Sequence, residues 1–412
     1  MKKIVIILTA ILITVSLASC GTMVSESIGN SNLDKAPILG EDGTLKGEDG
    51  ENTDSAVTKT DTWDGTADTS WYTADKDSFV LTTAEQLAGL EKLSNETTDF
   101  TGVTIKLAVN MDMCGRSWTP IGFKNSTKFT PDGVVNIKNF SGTLDGNGAT
   151  IYNLSVEADE AALIATNRGT VKNCNVSGAV SNGSTVAACL VGTNSGTVEN
   201  CSANGTVRVE KKISSGSDTL KIKAGVLVGS NLGRIDNCYS AGEVFANSES
   251  TGGYTETYSY VGGLVGHSSG GQITNCYSDA AATAESNGNL STTQTDSACG
   301  GLIGYCKDTE VKSCYATGSV KASAKHKYSS RCNAYAGGLI GQTVGNNVFN
   351  NNYRCSDQEL KALINENDYL VFNSEGMAKS LSDIRTLSFH TDTLGWDASL
   401  WDISNGQPPK FK

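Results

Sequence analysis

Short apolar boxes recur along the chain at a nearly constant stride. Three of them are framed by glycine, as in Gly263-Leu264-Val265-Gly266, and three weaker copies precede these. The central leucines are Leu163, Leu190, Leu227, Leu264, Leu302 and Leu339, at steps of 27, 37, 37, 38 and 37 residues. A stride in this range, rich in glycine and β-branched residues, predicts stacked supersecondary units that share one continuous core.

A cysteine follows each of the first five leucines after eleven or twelve residues. These cysteines are Cys174, Cys201, Cys238, Cys276 and Cys314. The sixth copy runs Asn351-Asn352-Tyr353 and has no thiol. Two ladders in one register predict a column whose interior is lined by the leucines and the thiols.

The shortest copy, from Leu163 to Leu190, holds three predicted short strands divided by turns, and no residues are left over. The longer copies carry ten or eleven additional residues, always just before the next apolar box. In the first of these segments Val207, Val209 and Leu220 alternate with charged residues around a serine-glycine turn. The pattern predicts hairpin arms that leave the column at one edge and stack on one another.

Helical patterns occur only outside the repeats. Thr83 begins a capping box, and Leu87, Leu90 and Leu93 follow it at helical spacing, which predicts a helix that covers the first coil. A second helical start is predicted at Ser356, as part of a closing cap.

The first twenty residues have the pattern of a bacterial secretory signal. Two lysines precede an apolar stretch that is too short to span a membrane, and Leu17-Ala18-Ser19-Cys20 ends it. This tetrapeptide resembles the lipobox, which implies an acylated Cys20; an ordinary secretory signal is the alternative. The residues up to about 62 are rich in Gly, Ser, Thr, Asp and Glu and poor in aromatics, which predicts a disordered tether.

The chain therefore divides into five predicted parts. They are a signal peptide (1–19), the lipidated Cys20 with its tether (20–62), an N-terminal cap with the first coils (63–156), the repeats (157–355) and a C-terminal cap (356–412). The net charge of -12 disfavours a nucleic-acid partner, because an acidic surface repels phosphate.

The boxes Gly-Gly-Leu-Val-Gly and Gly-Gly-Leu-Ile-Gly, with Asn-Cys-Tyr downstream, resemble the GLUG repeats of bacterial surface proteins. The resemblance implies an all-β, right-handed parallel β-helix with hairpin extensions and short helical caps. It also implies a lipoprotein of the outer membrane or cell surface that acts in cell adhesion. GLUG repeats also accompany immunoglobulin A metallopeptidases, which need a zinc-binding His-Glu-x-x-His helix. His267, His326 and His390 are the only histidines here, and none lies in that frame.

We expect no catalytic residue, metal or cofactor. A carbohydrate-active β-helix enzyme needs carboxylates that converge on one groove, whereas the charged residues of the repeats do not recur in register. For the cysteine ladder, buried unpaired thiols are favoured over disulfides, and a metal site is disfavoured because the thiols lie too far apart in sequence. Cys299, Cys306 and Cys332 lie outside the ladder, and a bond among them is the favoured disulfide.

The arms carry the candidate binding residues. Tyrosine with arginine is the composition of recognition surfaces. The second arm is rich in tyrosine, and the fourth carries tyrosines together with Lys325, Lys327 and Arg331. The candidates are Tyr254, Tyr258, Tyr260, His326, Tyr328 and Tyr335. The alternative is that these side chains merely cover the stacked arms. The expected partner is a host glycan or an extracellular protein, with the membrane reached through the lipid anchor, and the rival hypotheses are the enzyme and a structural surface spacer.

Overall fold

Each repeat contributes at least one strand to each of four β-sheets, in which the repeats pair with one another in parallel, so that the chain winds into a column. The computed structural model describes residues 57–123, 139–158, 160–182, 185–214, 219–252, 256–289, 292–327, 331–369, 375–404 and 406–412. It also gives the backbone of strands at 38–39, 45–46, 127–130 and 133–136. Cys20 and most of the expected tether lie outside these residues.

Two of the sheets carry the apolar boxes and the strands that follow them. Sheet 1 consists of Ile164–Asn167, Val191–Asn194, Val228–Asn231, Val265–Ser269, Ile303–Lys307 and Ile340–Val344. Sheet 2 consists of Ser78–Leu81, Thr104–Leu107, Thr143–Asp145, Thr170–Lys172, Thr197–Glu199, Arg234–Asp236, Gln272–Thr274, Glu310–Lys312 and Val348–Asn350.

The other two sheets carry the longer strands. Sheet 3 consists of Thr60–Thr62, Asn110–Asp112, Ser117–Trp118, Thr150–Val156, Asn175–Asn182, Ser202–Ile213, Tyr239–Ser250, Tyr277–Ser278, Ala281–Asn287, Tyr315–Ala316, Val320–Lys325, Tyr353–Cys355, Leu360–Ile364, Asn367–Asp368 and Met377–Lys379. Sheet 4 consists of Glu160–Ala161, Val186–Ala187, Thr219–Gly225, Glu256–Gly262, Gln294–Gly300 and Cys332–Gly337.

The predicted parallel β-helix is confirmed, with four strands in each of the first three repeats and five in each of the last three, rather than three. Three two-stranded antiparallel pairs lie outside the column sheets. They are Ile38–Leu39 with Leu45–Lys46, Thr127–Thr130 with Gly133–Asn136, and Trp401–Asp402 with Lys410–Phe411.

The recurring leucines and thiols fill the interior of the column. All six leucines and all five ladder cysteines are buried. In three successive coils the Sγ of one cysteine accepts a hydrogen bond from the backbone N–H of the previous one, as Cys238 does from Cys201 at 3.4 Å. Asn352 continues the ladder in the last coil, because its Oδ1 accepts from the N–H of Cys314 at 3.1 Å.

The cysteines of the described residues form no disulfide. Cys299, Cys306 and Cys332, for which a bond was expected, are buried and unbonded as well. Burial raises the pKa of Cys174 to about 12, and it also raises the pKa of Cys201 and Cys276. A thiol that stays protonated is a poor nucleophile, so Cys174, Cys201 and Cys276 act in packing.

The residue before each ladder cysteine has a left-handed backbone. Its φ is 51° at Asn173, 51° at Asn200, 49° at Asn237 and 53° at Asn275. Asparagine tolerates this conformation better than other residues with a side chain. The recurrent Asn-Cys pair is therefore a corner that turns the chain from sheet 2 into sheet 3.

The arms differ from the predicted hairpins. The two legs of an arm do not pair with each other: Ser202–Ile213 pairs in parallel with Tyr239–Ser250 in sheet 3, while Thr219–Gly225 pairs in parallel with Glu256–Gly262 in sheet 4. The legs therefore extend two sheets of the column, and the sheets face each other through small side chains. Ser259 shows this contact, because its hydroxyl donates to Ser248 Oγ at 3.0 Å.

The helix predicted at the N-terminal cap is confirmed as Ala84–Glu96, and Thr83 Oγ1 accepts a hydrogen bond from the N–H of Gln86. Its apolar face, which includes Leu87 and Leu90, is buried in the core. No helix in the described part of the chain is long and apolar enough to cross a membrane.

The prediction of a helix that begins at Ser356 is wrong. Leu360–Ile364 is a strand, because it pairs in parallel with Val320–Lys325 and so covers an edge that would otherwise stay open. The helices of the C-terminal part lie later, as the α-helix Leu381–Ile384 and the π-helical turn Phe389–Leu394.

Residues 385–412, here named the tail, pack on the outside of sheet 3. Tyr239, Tyr277 and Tyr315 follow the ladder cysteines and stack at centroid distances of 5.1 and 5.0 Å. We name these three residues the tyrosine ladder. The tail covers it with aromatic rings and with polar anchors: the Tyr277 hydroxyl donates to Pro409 O, and Trp396 Nε1 donates to Ser313 O at 3.0 Å.

Acid is expected to loosen the tail, because His390, a residue of the tail, is held neutral against the tyrosine ladder. His390 is fully buried, with Nδ1 2.8 Å from Thr386 O and Nε2 3.2 Å from the Tyr315 hydroxyl. Burial lowers the pKa of His390 from 6.5 to about 4. The unfolded chain therefore binds the proton first, so the stabilisation is full above pH 6.5 and falls as the pH drops towards about 4.

Proteolysis of the tail at pH 7 and at pH 5 measures this effect. We expect faster cleavage at the lower pH, and a weaker pH dependence in His390→Gln. His267→Gln, on another face, keeps the wild-type pH dependence of tail cleavage. An equal pH dependence in His390→Gln and wild type would contradict the assignment.

Candidate binding surface

Four aromatic side chains come together where the outer faces of sheets 4 and 1 meet. The register of sheet 4 places Tyr258 and Tyr260 beside Lys221 and Lys223 of the previous repeat. The register of sheet 1 places His267 beside Tyr305 of the next repeat. We name Tyr258, Tyr260, His267 and Tyr305 the aromatic corner.

The rings of the aromatic corner pack on one another. Tyr260 stacks on Tyr305 at 4.6 Å, and His267 stacks on Tyr305 at 5.1 Å with an interplanar angle of 5°. Tyr258 lies 5.9 Å from Tyr260, at the outer end of the group. Since the ring faces contact each other, the corner is a rigid surface before any partner arrives.

Charges of both signs border the aromatic corner. Lys221 Nζ lies 4.9 Å from the ring centroid of Tyr258, whose hydroxyl donates to Glu256 Oε2 at 3.0 Å. On the other side Asp296 accepts hydrogen bonds from Gln294 and Asn333, at 2.7 and 2.8 Å. The corner therefore has a cationic border on one side and an acidic border on the other.

The protonation states within the corner follow from burial. Burial, and then the nearby Lys223, lower the pKa of His267 to about 4, so the imidazole is neutral at pH 7. Burial also raises the pKa of Tyr258, Tyr260 and Asp296. For Asp296 the hydrogen bonds from Asn333 and Gln294 act in the opposite direction and offset part of this rise. His267 Nδ1 is buried and has no hydrogen-bond partner among the described residues.

The predicted binding residues have different positions. Tyr258 and Tyr260 belong to the aromatic corner, where Tyr260 is only 7% exposed. Tyr335 occupies the register position of Tyr260 in sheet 4, two repeats further along the column. His326 is no surface residue: it is 3% exposed, and its Nε2 lies 3.0 Å from Thr292 O. Tyr254 and Tyr328 lie outside the described residues.

Sequence reasoning missed His267 and Tyr305 as partners of the tyrosines. His267 directly follows the apolar box that ends at Gly266, and Tyr305 directly follows the box that ends at Gly304 in the next repeat. Aligning the boxes would have placed the two side chains on neighbouring strands. Within the described residues, no group of histidine, cysteine, aspartate or glutamate side chains is suited to hold a metal ion.

The comparisons with known proteins agree with the fold. The GLUG motif matches residues 257–283, a segment that includes most of the aromatic corner. A solved structure from Bacteroides ovatus, provisionally assigned as an immunoglobulin A1 protease, is similar with a TM-score of 0.54 and 19% identity. The match covers 82% of this chain and 93% of that chain, and at this identity it concerns the fold alone. No curated protein matches the sequence.

Proposed function

We propose that this protein is a lipid-anchored bacterial surface protein that attaches, without catalysis, to an extracellular protein through the aromatic corner. The observation that carries the proposal is the packed group Tyr258, Tyr260, His267 and Tyr305 between charged borders. Tyrosine-rich surfaces with charges at their edge are typical of protein interfaces. An acylated Cys20 would hold the column at the membrane.

A protein partner is favoured over a glycan at this surface. A sugar ring packs on an exposed aromatic face, whereas the corner turns ring faces towards each other. Ring edges, tyrosine hydroxyls and the borders of Lys221 and Glu256 are what remain for a partner. These groups suit the mixed polar and apolar surface of a folded protein.

Binding to immobilised fibronectin, laminin, collagen and mucin tests the proposal, with a glycan array as the second arm. The full chain carrying Cys20→Ser is used, since the anchor hypothesis predicts that this variant is released in soluble form. We expect binding to at least one of the proteins. The double variant Tyr258→Ala, Tyr305→Ala should bind at least about 10-fold more weakly, because interface tyrosines often contribute more than about 1 kcal/mol each.

Tyr152→Ala is the matched control, because this tyrosine is exposed on sheet 3, on a different face of the column. Its binding should equal that of the wild type, and all variants should keep the wild-type circular dichroism. Binding to none of the proteins would contradict the proposal and favour the spacer. Glycan binding that the double variant abolishes would replace the protein partner with a sugar, and shortened polysaccharide products would favour the enzyme.

A further inference from the structure

A polar groove lies beside the end of the tyrosine ladder, on a different sheet from the aromatic corner. In sheet 3 the register that holds Tyr277 and Tyr239 continues towards the N-terminus with Ser202, Asn175 and Thr150. Small polar side chains thus replace the large rings of the ladder. The space that they leave is a groove of about 880 Å³, a size typical of ligand sites.

One wall of the groove is a row of asparagine amides. Asn147, Asn173 and Asn200 lie in successive coils with φ of 53°, 51° and 51°, so that their side chains repeat at the coil spacing of about 4.8 Å. Asn200 Nδ2 donates to Asn173 Oδ1 at 3.2 Å, and Asn173 Nδ2 donates to Asp145 Oδ1 at 3.0 Å. We name this site the asparagine groove.

The amides retain hydrogen-bonding capacity. Each amide nitrogen has two N–H groups, and the row uses one of them in Asn173 and in Asn200. Asn200 Oδ1 is buried without a partner among the described residues, and no hydrogen bond within the described part of the chain involves the side chain of Asn147. The amide of Asn147 and the second N–H groups of Asn173 and Asn200 are therefore the groups that remain for a ligand in the groove.

The opposite wall comes from the tail and is apolar. Leu400 and Phe411 line it, and both pack on the tail's aromatic cluster. Lys412 also lines the groove, but its ammonium donates to Ala398 O at 2.7 Å. No carboxylate side chain is among the described lining residues. The groove thus offers uncharged donors and acceptors on one side and an apolar surface on the other.

We propose that the asparagine groove binds a segment of a neutral oligosaccharide. Sugar hydroxyls donate and accept hydrogen bonds at once, as the asparagine amides do, and the apolar face of a sugar ring would contact the parts of Leu400 and Phe411 that line the groove. The backbone of the groove floor is paired within sheet 3, so an extended peptide would find no edge to pair with. An anionic sugar is disfavoured, because the chain carries a net charge of -12 and the described lining residues include a single cation, Lys412.

This site is independent of the attachment proposed for the aromatic corner. Cellohexaose, xylohexaose, maltoheptaose and mannohexaose serve as neutral probes, and a heparin hexasaccharide serves as the anionic one. Saturation-transfer NMR and calorimetry on the full chain measure binding. We expect at least one neutral probe to bind in the millimolar range or more tightly, and the heparin fragment to bind more weakly.

Ser399→Trp tests the location, because Ser399 is exposed and lines the groove, so that an indole there fills the space without disturbing the core. We expect at least ten-fold weaker binding. Ala398→Trp is the matched control, since Ala398 is the exposed neighbour outside the lining. Asn147→Asp tolerates the same backbone but removes the amide donors, and it should also weaken binding, whereas Asn346→Asp on another surface should not.

Two results would overturn the assignment. One is that no neutral probe binds at millimolar concentration, and the other is that binding survives Ser399→Trp unchanged. The double variant Tyr258→Ala, Tyr305→Ala should keep oligosaccharide binding, so a failure of one proposal is distinguishable from a failure of the other.

Discussion

Replacing Gly262 with valine should disrupt the column around the fourth apolar box. A Cβ atom at Gly262 would lie 2.0 Å from Val265 O and 2.7 Å from Gly304 N. Both are backbone atoms of sheet 1 strands, Val265–Ser269 and Ile303–Lys307, so neither can move without breaking the pairing of these strands. We expect a loss of at least about 4 kcal/mol in the free energy of unfolding, or no folded protein at all.

Gly270→Ala is the control for this variant. Gly270 has φ of +72°, but a Cβ atom there has no atom within 4 Å. Its expected cost is only the left-handed backbone penalty of roughly 1–2 kcal/mol. Thermal unfolding followed by circular dichroism compares the two variants. A melting temperature for Gly262→Val as high as that of Gly270→Ala would contradict the close packing around Gly262.

Trp401→Ala should release the tail from the tyrosine ladder. Trp401 is 1% exposed and stacks on Phe411 at 4.6 Å and on Trp396 at 4.8 Å. Removing a buried ring of this size costs about 3–5 kcal/mol of stability. This cost exceeds the free energy that we expect to hold a segment of this length against local unfolding. Hydrogen exchange should therefore become fast throughout residues 385–412, while the buried strands of the column keep their protection.

Trp401→Phe is the matched control for the ring. Trp401 Nε1 is buried and has no hydrogen-bond partner among the described residues, so phenylalanine keeps the aromatic packing and removes an unsatisfied donor. We expect the free energy of unfolding of Trp401→Phe to stay within about 1.5 kcal/mol of that of the wild type. If Trp401→Ala leaves exchange in the tail unchanged, the tail does not depend on this cluster.

The column could be predicted from the sequence alone, because the strongest patterns in the sequence are periodic. The leucines and the cysteines recur in one register, and the structure buries both sets in successive coils. The Asn-Cys pair was recognised as part of the repeat, although its backbone role was not. A left-handed corner at Asn173 and Asn237 is the physical reason for the asparagine.

Other features depend on contacts that a single sequence does not display. Leu360 and Leu363 are spaced as on a helix, but the unpaired edge of Val320–Lys325 makes the segment a strand. His326 lies in a polar stretch that suggests exposure. It is buried because the serines and threonines of the arms bond to one another and so form a polar interior.

The binding surfaces were only partly accessible from the sequence. Tyr258 and Tyr260 stood out because they are clustered along the chain, whereas His267 and Tyr305 join them only through the register of sheet 1. The asparagine groove depends on the tail, since Phe411 lies more than two hundred residues from Asn147 in sequence. Such a site exists only once the tail has packed against the column.

A spin-label distance across the coils tests the stacked column most directly. Thr143 and Val348 occupy one register position of sheet 2, six strands apart. Labels on Thr143→Cys and Val348→Cys, in a chain with Cys20→Ser and Cys114→Ser, avoid the ladder thiols, which are buried. The column predicts a narrow distribution near about 29 Å, from strand spacings of about 4.8 Å. A broad distribution centred well beyond that distance would contradict it.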